Sequence, residues 1–344
     1  MKLNILFAVF LVLMISGCGS SSSAPADPAS PEQPAGPIIK MGGVYALGTA
    51  VSGISDGVLS NPSVTGVSLR AHWDTIEAQK GIYDWSSLDT DISRAIQKGK
   101  KIMIRVIAGQ FTPAWVYNEG AKPFNFTDNG VPATMPVPWD SVYLNNWTRF
   151  IQALAARYAQ MPQVVTVQMT GPCDAGEMYL PNKTDEAFWQ SLGYTDALLI
   201  GAWATVIDAY GAAFPSTAVG IDIAYPLSFG DKENVLDQIL NYAYNRLGAR
   251  LRVQGNWLAA KTNEVYPLYQ VVKSFSARTD AGFQMLYSAD LEPDRFGGTL
   301  RQGIDNGLAA GASYLEIYST DIENPAHAAD IQYADENLKL QEKY

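Results

Sequence analysis

The sequence contains few cysteine and histidine residues. Its 344 residues include two cysteines and two histidines, His72 and His327. Two cysteines are too few for a zinc or iron–sulfur site with four cysteine ligands, and two histidines argue against centres that need two or three. We therefore expect no metal and no organic cofactor.

Basic residues are also scarce. The chain has 24 lysines and arginines against 34 acidic residues, which gives a net charge of −10. Nucleic acids are bound through clustered basic side chains that displace counterions, so nucleic acid is not a predicted partner. With 47% hydrophobic and 17% charged residues, the composition is typical of a globular protein. It does not indicate an oligomeric state.

The N-terminus has the composition of an export signal. Residues 5–15 form an apolar run that is too short to span a bilayer and is typical of the central part of a signal peptide. The run ends in Ile-Ser-Gly-Cys at residues 15–18, which resembles the bacterial lipobox. We predict a lipoprotein signal peptide over residues 1–17 and lipidation of Cys18. An ordinary secretory signal with a chance cysteine is the alternative.

A linker follows the predicted lipidation site. Residues 18–37 are rich in Ser, Pro and Ala and nearly lack large apolar side chains, so we predict a disordered tether. Gly19 stands where Asp would favour retention in the inner membrane, so the lipobox resemblance implies the outer membrane. The predicted location is the bacterial cell envelope, with the lipid-anchored chain at the outer membrane or cell surface.

Short apolar runs alternate with helical patterns over residues 38–344, which predicts one α/β domain with a parallel sheet. Eight strands are predicted, at residues 43–48, 64–73, 101–108, 164–170, 218–225, 250–256, 282–288 and 313–318. Helical stretches include 86–99 (with Ser86 or Ser87 as N-cap), 145–159, 195–214, 233–248 and 299–311. Eight units fit a (β/α)8 TIM barrel. A doubly wound open sheet is the alternative, but no glycine-rich phosphate turn supports it.

The strands predict a polar barrel interior. Alternate residues of a barrel strand face inward, and the apolar set should face the helices. The inward set then comprises Ser68, Arg70, His72, Arg105, Thr166, Gln168, Asp222, Gln254, Asn256, Gln284, Tyr314, Glu316 and Tyr318. Buried charges require partners. Two interpretations remain open: a structural salt-bridge network that includes Arg252, or a polar reaction centre at the C-terminal mouth, where barrel active sites lie.

Carboxylates and aromatic residues also cluster near strand ends. The carboxylates are Asp74, Glu77, Asp174, Glu177, Asp290, Glu292, Glu316 and Asp321, and the aromatic residues include Trp73, Trp115, Trp257 and Tyr318. Hydrolysis of a glycosidic bond uses two carboxyl groups, and aromatic faces hold sugar rings. Alternatively, some of these tryptophans fill gaps between helices and loops.

Residues 66–116 carry a more specific pattern. Its positions are Arg70, Trp73, Glu77, Gly81, Tyr83, Asp84, Trp85, Leu88, Asp89, residues 99–101, Thr112, Pro113 and Trp115. This pattern resembles the second and third strand-helix units of clan A glycoside hydrolases, particularly the family-42-type β-galactosidases. The resemblance implies a TIM barrel with its acid/base glutamate after strand four and its nucleophile at the end of strand seven.

The resemblance points to Glu177 as the proton donor, although residues 171–176 separate it from the strand. Capping of a helix or pairing with an arginine is its alternative role. Strand seven offers Gln284 and no glutamate before Glu292, whereas strand eight carries Glu316. The strand count could be off by one, the second carboxylate could have moved, or the barrel could bind sugar without cutting it.

We predict a glycoside hydrolase that acts on an extracytoplasmic oligo- or polysaccharide, with Glu177 as general acid/base and Glu316 as second carboxylate. The predicted substrate contacts are Arg70, His72, Trp73, Arg105, Trp115, Gln168, Asp174, Asp222, Asn256, Trp257, Gln284 and Tyr318. One alternative is a non-catalytic carbohydrate-binding or cell-envelope lipoprotein. Another is an enzyme for a different anionic or polyol substrate, in which Arg70 and Arg105 dominate binding.

Overall fold

A computed structural model describes residues 40–48 and 53–341. The predicted signal peptide, the tether and the lipidation site at Cys18 lie outside these residues. Within the described part, no helix has both the length and the apolar character that crossing a membrane requires.

Eight parallel strands close into a barrel. The ten strands of the described residues are β1 Gly43–Leu47, β2 Gly66–His72, β3 Lys101–Ile107, β4 Pro123–Asp128, β5 Val131–Pro136, β6 Val164–Met169, β7 Ala218–Asp222, β8 Leu251–Leu258, β9 Ala281–Met285 and β10 Tyr314–Tyr318. The barrel order is β1-β2-β3-β6-β7-β8-β9-β10, and β10 pairs with β1. All eight predicted strands are confirmed, and the sheet is closed rather than open.

Helices surround the barrel. They are α1 Asp56–Ser60, α2 Trp73–Ile76, α3 Ser86–Gln97, α4 Ala114–Asn118, α5 Ser141–Tyr158, α6 Glu186–Ser191, α7 Asp196–Ala213, α8 Lys232–Leu247, α9 Pro267–Ser276, α10 Pro293–Phe296, α11 Leu300–Ala309, α12 Ser319–Glu323 and α13 Ala328–Leu340. Short 3₁₀ turns lie at Gly109–Phe111, Gly248–Arg250 and Pro325–His327. The predicted serine N-cap of α3 is wrong: Trp85 is the N-cap residue, and Asp84 accepts the Ser86 backbone N–H at 3.0 Å.

Strands β4 and β5 form an antiparallel hairpin that was not predicted, inserted after the third barrel strand. Its turn holds Asn129 at φ 48° and Gly130 at φ 84°. Two consecutive residues with positive φ are typical of a tight hairpin turn, and Asn-Gly is its commonest sequence. Phe124 is buried against Trp189 of α6, with ring centroids 5.1 Å apart. This contact holds the hairpin on the helical shell.

The barrel has two apolar regions. The outward residues Ile102, Ile104 and Val106 of β3 belong to the large core between strands and helices. A separate buried cluster fills the N-terminal part of the interior and comprises Met41, Tyr45, Met103, Val165 and Tyr314. Polar side chains are therefore left to occupy the C-terminal half of the interior.

The last helix is tied to the first strand. Asp335 of α13 accepts the backbone N–H of Val44 at 3.3 Å and the hydroxyl of Thr65 at 2.7 Å. Lys339 pairs with the other oxygen of the same carboxylate at 2.6 Å. Asp335 therefore joins the two ends of the described chain where the barrel closes.

Candidate functional site

Arg105 lies at the centre of the polar interior. Its Nη2 is 2.7 Å from Asp222 Oδ2 and 3.6 Å from Glu316 Oε1. Arg105 is 2% exposed, Asp222 1% and Glu316 0%. Removing one partner from such a buried set leaves an uncompensated charge, so these three groups depend on one another.

Amide side chains connect the two carboxylates. Gln168 donates from Nε2 to Asp222 at 2.8 Å and to the Gln254 amide oxygen at 3.3 Å. Gln254 in turn donates to Glu316 at 3.1 Å and to Asn256 at 2.8 Å. The inward residues of four strands therefore form one hydrogen-bonded network.

Arg70 and Gln284 complete this interior. Arg70 Nη2 donates to the Gln284 amide oxygen, and Arg105 Nη1 approaches the same oxygen at 3.5 Å. Burial and the neighbouring Arg105 lower the pKa of Arg70. Because all eight strands are confirmed, the seventh barrel strand does carry Gln284 and the strand count is not off by one. Two explanations remain: the second carboxylate has moved, or the barrel binds sugar without cutting it.

Glu177 lies in an irregular loop between β6 and α6. The Met178 N–H donates to the Asp222 carbonyl at 3.1 Å, and the Gln110 N–H donates to the Asp174 carbonyl at 3.2 Å. Gly109 has a φ of 55°, and a Cβ there would collide with the Asp174 carbonyl. These close backbone approaches hold the loop over the barrel, where Glu177 remains partly exposed.

The surroundings of Glu177 favour its protonated form. Burial and the charge of Asp222 raise the pKa of Glu177 to about 7, against the opposing effects of Arg105 and Asn256. Burial likewise raises the pKa of Asp222 to about 6, although Arg105 opposes this shift. Near neutral pH, Glu177 can therefore hold a proton beside an ionised carboxylate, as a general acid requires.

Asp174 has a different charged neighbour from this pair. It is 3% exposed, and burial followed by the charge of Asp128 raises its pKa to about 7. Asp128 is the last residue of β4. The carboxyl that raises the pKa of Glu177 is therefore Asp222, and Asp174 belongs to the side of the loop that meets the hairpin.

Trp73, a predicted sugar contact, is fully buried and packs among other aromatic side chains. The Trp73 ring packs against Trp115 and Trp147, at centroid distances of 5.9 and 5.0 Å, and its Nε1 donates to Glu77. Trp115 donates to the Glu77 carbonyl, and the Arg149 guanidinium lies 5.3 Å from its ring. Both tryptophans therefore belong to an aromatic cluster around Glu77 and not to the barrel interior.

Glu77 holds this cluster together. Its buried carboxylate accepts from Trp73 at 2.9 Å, from the Gly81 N–H at 2.7 Å and from Arg149 at 2.5 Å. We expect Glu77→Ala to lower the free energy of unfolding by about 3 kcal/mol, because buried donors lose a charged acceptor. Urea denaturation measures the loss. Glu119→Ala is the control: its partly exposed pair with Lys80 should contribute less than about 1 kcal/mol. Equal losses in the two variants would contradict a structural role for Glu77.

Other predicted contacts do lie near the mouth. Trp257 and Tyr266 line a cavity of about 530 Å³, with ring centroids 4.6 Å apart. After burial, the charge of Glu177 is the next cause that raises the pKa of Tyr266, so this cavity adjoins the site. Burial raises the pKa of Tyr318, and the charges of Arg70, Glu316 and Glu177 also act on this pKa.

His72 lies at the C-terminal end of β2. Its ring stacks on Phe111 at a centroid distance of 3.5 Å, and burial lowers its pKa. Phe111 also lines a cavity of about 770 Å³ that reaches β5 of the hairpin. The unpredicted hairpin therefore forms one wall of a hollow next to the barrel mouth.

One group of side chains in the described part has the composition of a metal site. Asp290, Asp321 and His327 place one ligand atom each within 4.8 Å of one another. Each is already engaged: Asp321 accepts from Ser288 at 2.7 Å, and His327 Nε2 lies 2.9 Å from Asp290. These contacts connect the segments that follow β9 and β10, so the group has a structural explanation.

Glycoside hydrolases are among the known proteins with a similar sequence or fold. Residues 60–212 match the sequence family described as β-galactosidase, glycoside hydrolase family 42. The catalytic domain of β-amylase from Paenibacillus polymyxa has a similar fold, with a TM-score of 0.62 and 11% identity over 88% of this chain and 99% of that one. A search of curated protein sequences finds no match.

Two β-galactosidases share the fold over part of their length. The enzyme from Rahnella sp. R3 has a TM-score of 0.56 and 12% identity over 91% of this chain. The enzyme from Halorubrum lacusprofundi has a TM-score of 0.54 and 13% identity over 86% of this chain. The chain spans 58% of the length of each. The predicted resemblance is therefore confirmed: the chain is similar to glycoside hydrolases in fold, and part of its sequence matches the family-42 model.

Proposed function

We propose that the protein hydrolyses O-glycosidic bonds of an extracytoplasmic oligo- or polysaccharide, with Glu177 as the general acid and base. The observation that carries this proposal is the position of Glu177: partly exposed at the barrel mouth, with its pKa raised to about 7. A group that titrates near the working pH can both donate and accept a proton during one cycle. In retaining glycosidases the catalytic acid first donates a proton and then acts as a base.

Glu316 is the proposed second carboxylate. It faces the interior from β10, and its Oε2 is buried without a hydrogen-bond partner in the described structure. Asp222 competes for the role, since its charge acts on Glu177, but its Oδ2 is already paired with Arg105 at 2.7 Å. The oxygen of Glu316 is therefore the one left to act on an anomeric carbon or on a water molecule.

The cellular location is proposed from the sequence of residues 1–37. A lipid on Cys18 would attach the chain to a membrane, and the tether would separate the barrel from the surface. The barrel would then meet glycans outside the cytoplasm. Labelling with a radioactive fatty acid in wild type and Cys18→Ala tests the anchor.

Two observations favour non-catalytic sugar binding instead. Gln284 occupies the end of the seventh barrel strand, and both interior carboxylates are almost fully buried. A panel of aryl glycosides and polysaccharides, assayed for turnover and for binding, decides between the two functions. Release of reducing ends supports hydrolysis, whereas binding without turnover supports the alternative.

The pH dependence of kcat/KM gives a further prediction. Activity should fall as the pH rises through about 7, because Glu177 loses the proton that it must donate. It should also fall below about 6, where protonation of Asp222 weakens its pair with Arg105. These groups interact, so the two limbs report the pair. A flat profile through both values would contradict the assignment of Glu177.

A further inference from the structure

Arg70 is an interior cation without an anionic partner. Among the described residues it forms no ion pair, and its hydrogen-bond acceptor is the uncharged amide of Gln284. Its Nε is buried and has no hydrogen-bond partner. Arg105 differs, because it is matched to two carboxylates at 2.7 and 3.6 Å.

The position of Arg70 makes it accessible to a ligand. Arg70 is partly exposed near the C-terminal end of β2, whereas Arg105 is 2% exposed. The charges that act on Arg70 are those of Arg105, Glu316, Tyr318 and Asp222. Burial and Arg105 lower its pKa, so an additional anion at the mouth would offset both unfavourable effects.

We infer that Arg70 binds the carboxylate of a uronic acid residue, so that the substrate is an anionic glycan. This inference names the substrate class of the proposed hydrolase and rests on that function. A guanidinium presents parallel N–H donors in a plane that matches a carboxylate, and such paired bonds are strong when partly desolvated. Nη1 of Arg70 has no acceptor among the described residues and supplies a donor of this kind, while Nη2 remains bound to Gln284.

Binding there would also assist the proton donor. Arg70 is one of the cations that lower the pKa of Glu177. A carboxylate placed on Arg70 neutralises this effect and raises the pKa of Glu177 in the complex. The bound uronide therefore helps Glu177 to keep the proton that it transfers to the leaving oxygen.

The test uses the full-length chain with matched 4-nitrophenyl glycosides and glycosiduronides of glucose and galactose, in both anomers. Wild type should have a higher kcat/KM for a uronide than for the matched neutral glycoside. Arg70→Met should reduce this ratio about 10- to 100-fold, the range expected for loss of a charged hydrogen bond. Arg70→Lys should restore part of the ratio, because the charge remains.

Arg278→Met is the control. Arg278 is exposed in the turn before β9, at the N-terminal end of the barrel, and its guanidinium lies on Phe275. This variant should leave the ratio at the wild-type value. With uronides, the basic limb of the kcat profile should also lie at higher pH than that of kcat/KM, and with neutral glycosides it should not. A purely structural role for Arg70 would not separate these limbs.

Preference of wild type for neutral substrates, or an unchanged ratio in Arg70→Met, would overturn the inference. If no glycoside is hydrolysed, the hydrolase proposal fails, and calorimetry with oligogalacturonate, oligoglucuronate and neutral oligosaccharides tests Arg70 separately. Uronate binding that is lost in Arg70→Met supports the inference, whereas absent or unchanged binding overturns it. If Arg70→Met does not fold, as judged by circular dichroism, Arg70→Lys gives the same readouts.

Discussion

Replacing Glu177 by glutamine should lower kcat on unactivated glycosides by about 10²- to 10⁴-fold, the usual contribution of a positioned acid or base. Glutamine keeps the shape of the side chain but cannot donate the proton. Substrates with acidic phenol leaving groups depend less on protonation, so their loss should be smaller. Steady-state kinetics on a series of aryl glycosides would show this dependence on the leaving group.

Two controls separate chemistry from unfolding. Glu292→Gln changes a partly exposed glutamate paired with Arg295 at 3.6 Å and should leave kcat unchanged. Glu177→Gln should be at least as stable as wild type at pH 8. The folded-state pKa of Glu177, about 7, lies above its ordinary value of 4.5, so the stability that this group contributes is lost as the pH rises through 7. Wild-type kcat in Glu177→Gln would remove Glu177 from the mechanism.

Replacing Arg105 by methionine should lower the free energy of unfolding by about 3–5 kcal/mol at pH 7, because two enclosed carboxylates lose their shared cation. Asp222 is 1% exposed and Glu316 0%, so solvent compensates little for the lost cation. Urea denaturation followed by circular dichroism measures the loss. Arg157→Met is the matched control: its pair with Asp89 is partly exposed, and its removal should lower stability by about 1 kcal/mol or less.

The Arg105→Met deficit should shrink in acid. The folded-state pKa of Asp222, about 6, lies above its ordinary value of 3.8, so its ionisation lowers stability as the pH rises through 6. Without Arg105 this penalty grows, and at pH 5 the carboxyl avoids it by taking up a proton. A deficit of the same size at pH 5 and pH 8 would show that Arg105 acts through packing rather than charge.

Strand alternation predicted the barrel and its polar interior because both depend on local rules. In β3 the apolar Ile102, Ile104 and Val106 alternate with Met103 and Arg105, and side chains of a strand point to opposite faces in turn. The sequence therefore reveals that Arg105 faces inward. It does not reveal that Arg105 meets Asp222, because this pairing depends on the stagger of strands distant in the chain.

Residues just beyond strand ends were harder to place. Trp73 follows β2 directly, but it begins the one-turn helix α2, which turns its ring outward to α5. The position of Glu177 was equally hard to predict, because the carboxylate nearest to it in sequence is Asp174. The hydrogen bond from the Met178 backbone N–H to the Asp222 carbonyl places Glu177 beside Asp222 instead. The β4–β5 hairpin did have a signal, Asn129-Gly130 between two extended segments, and this signal identifies it in retrospect.

The link between α13 and β1 orders events during biosynthesis. While a ribosome still holds the C-terminal residues, Val44 lacks the Asp335 acceptor and β1 lacks its neighbour β10. An unfinished chain therefore carries two unpaired sheet edges, the feature that makes nascent proteins prone to aggregate. Ring closure therefore cannot precede the synthesis of β10 and α13, and until then both edges stay open.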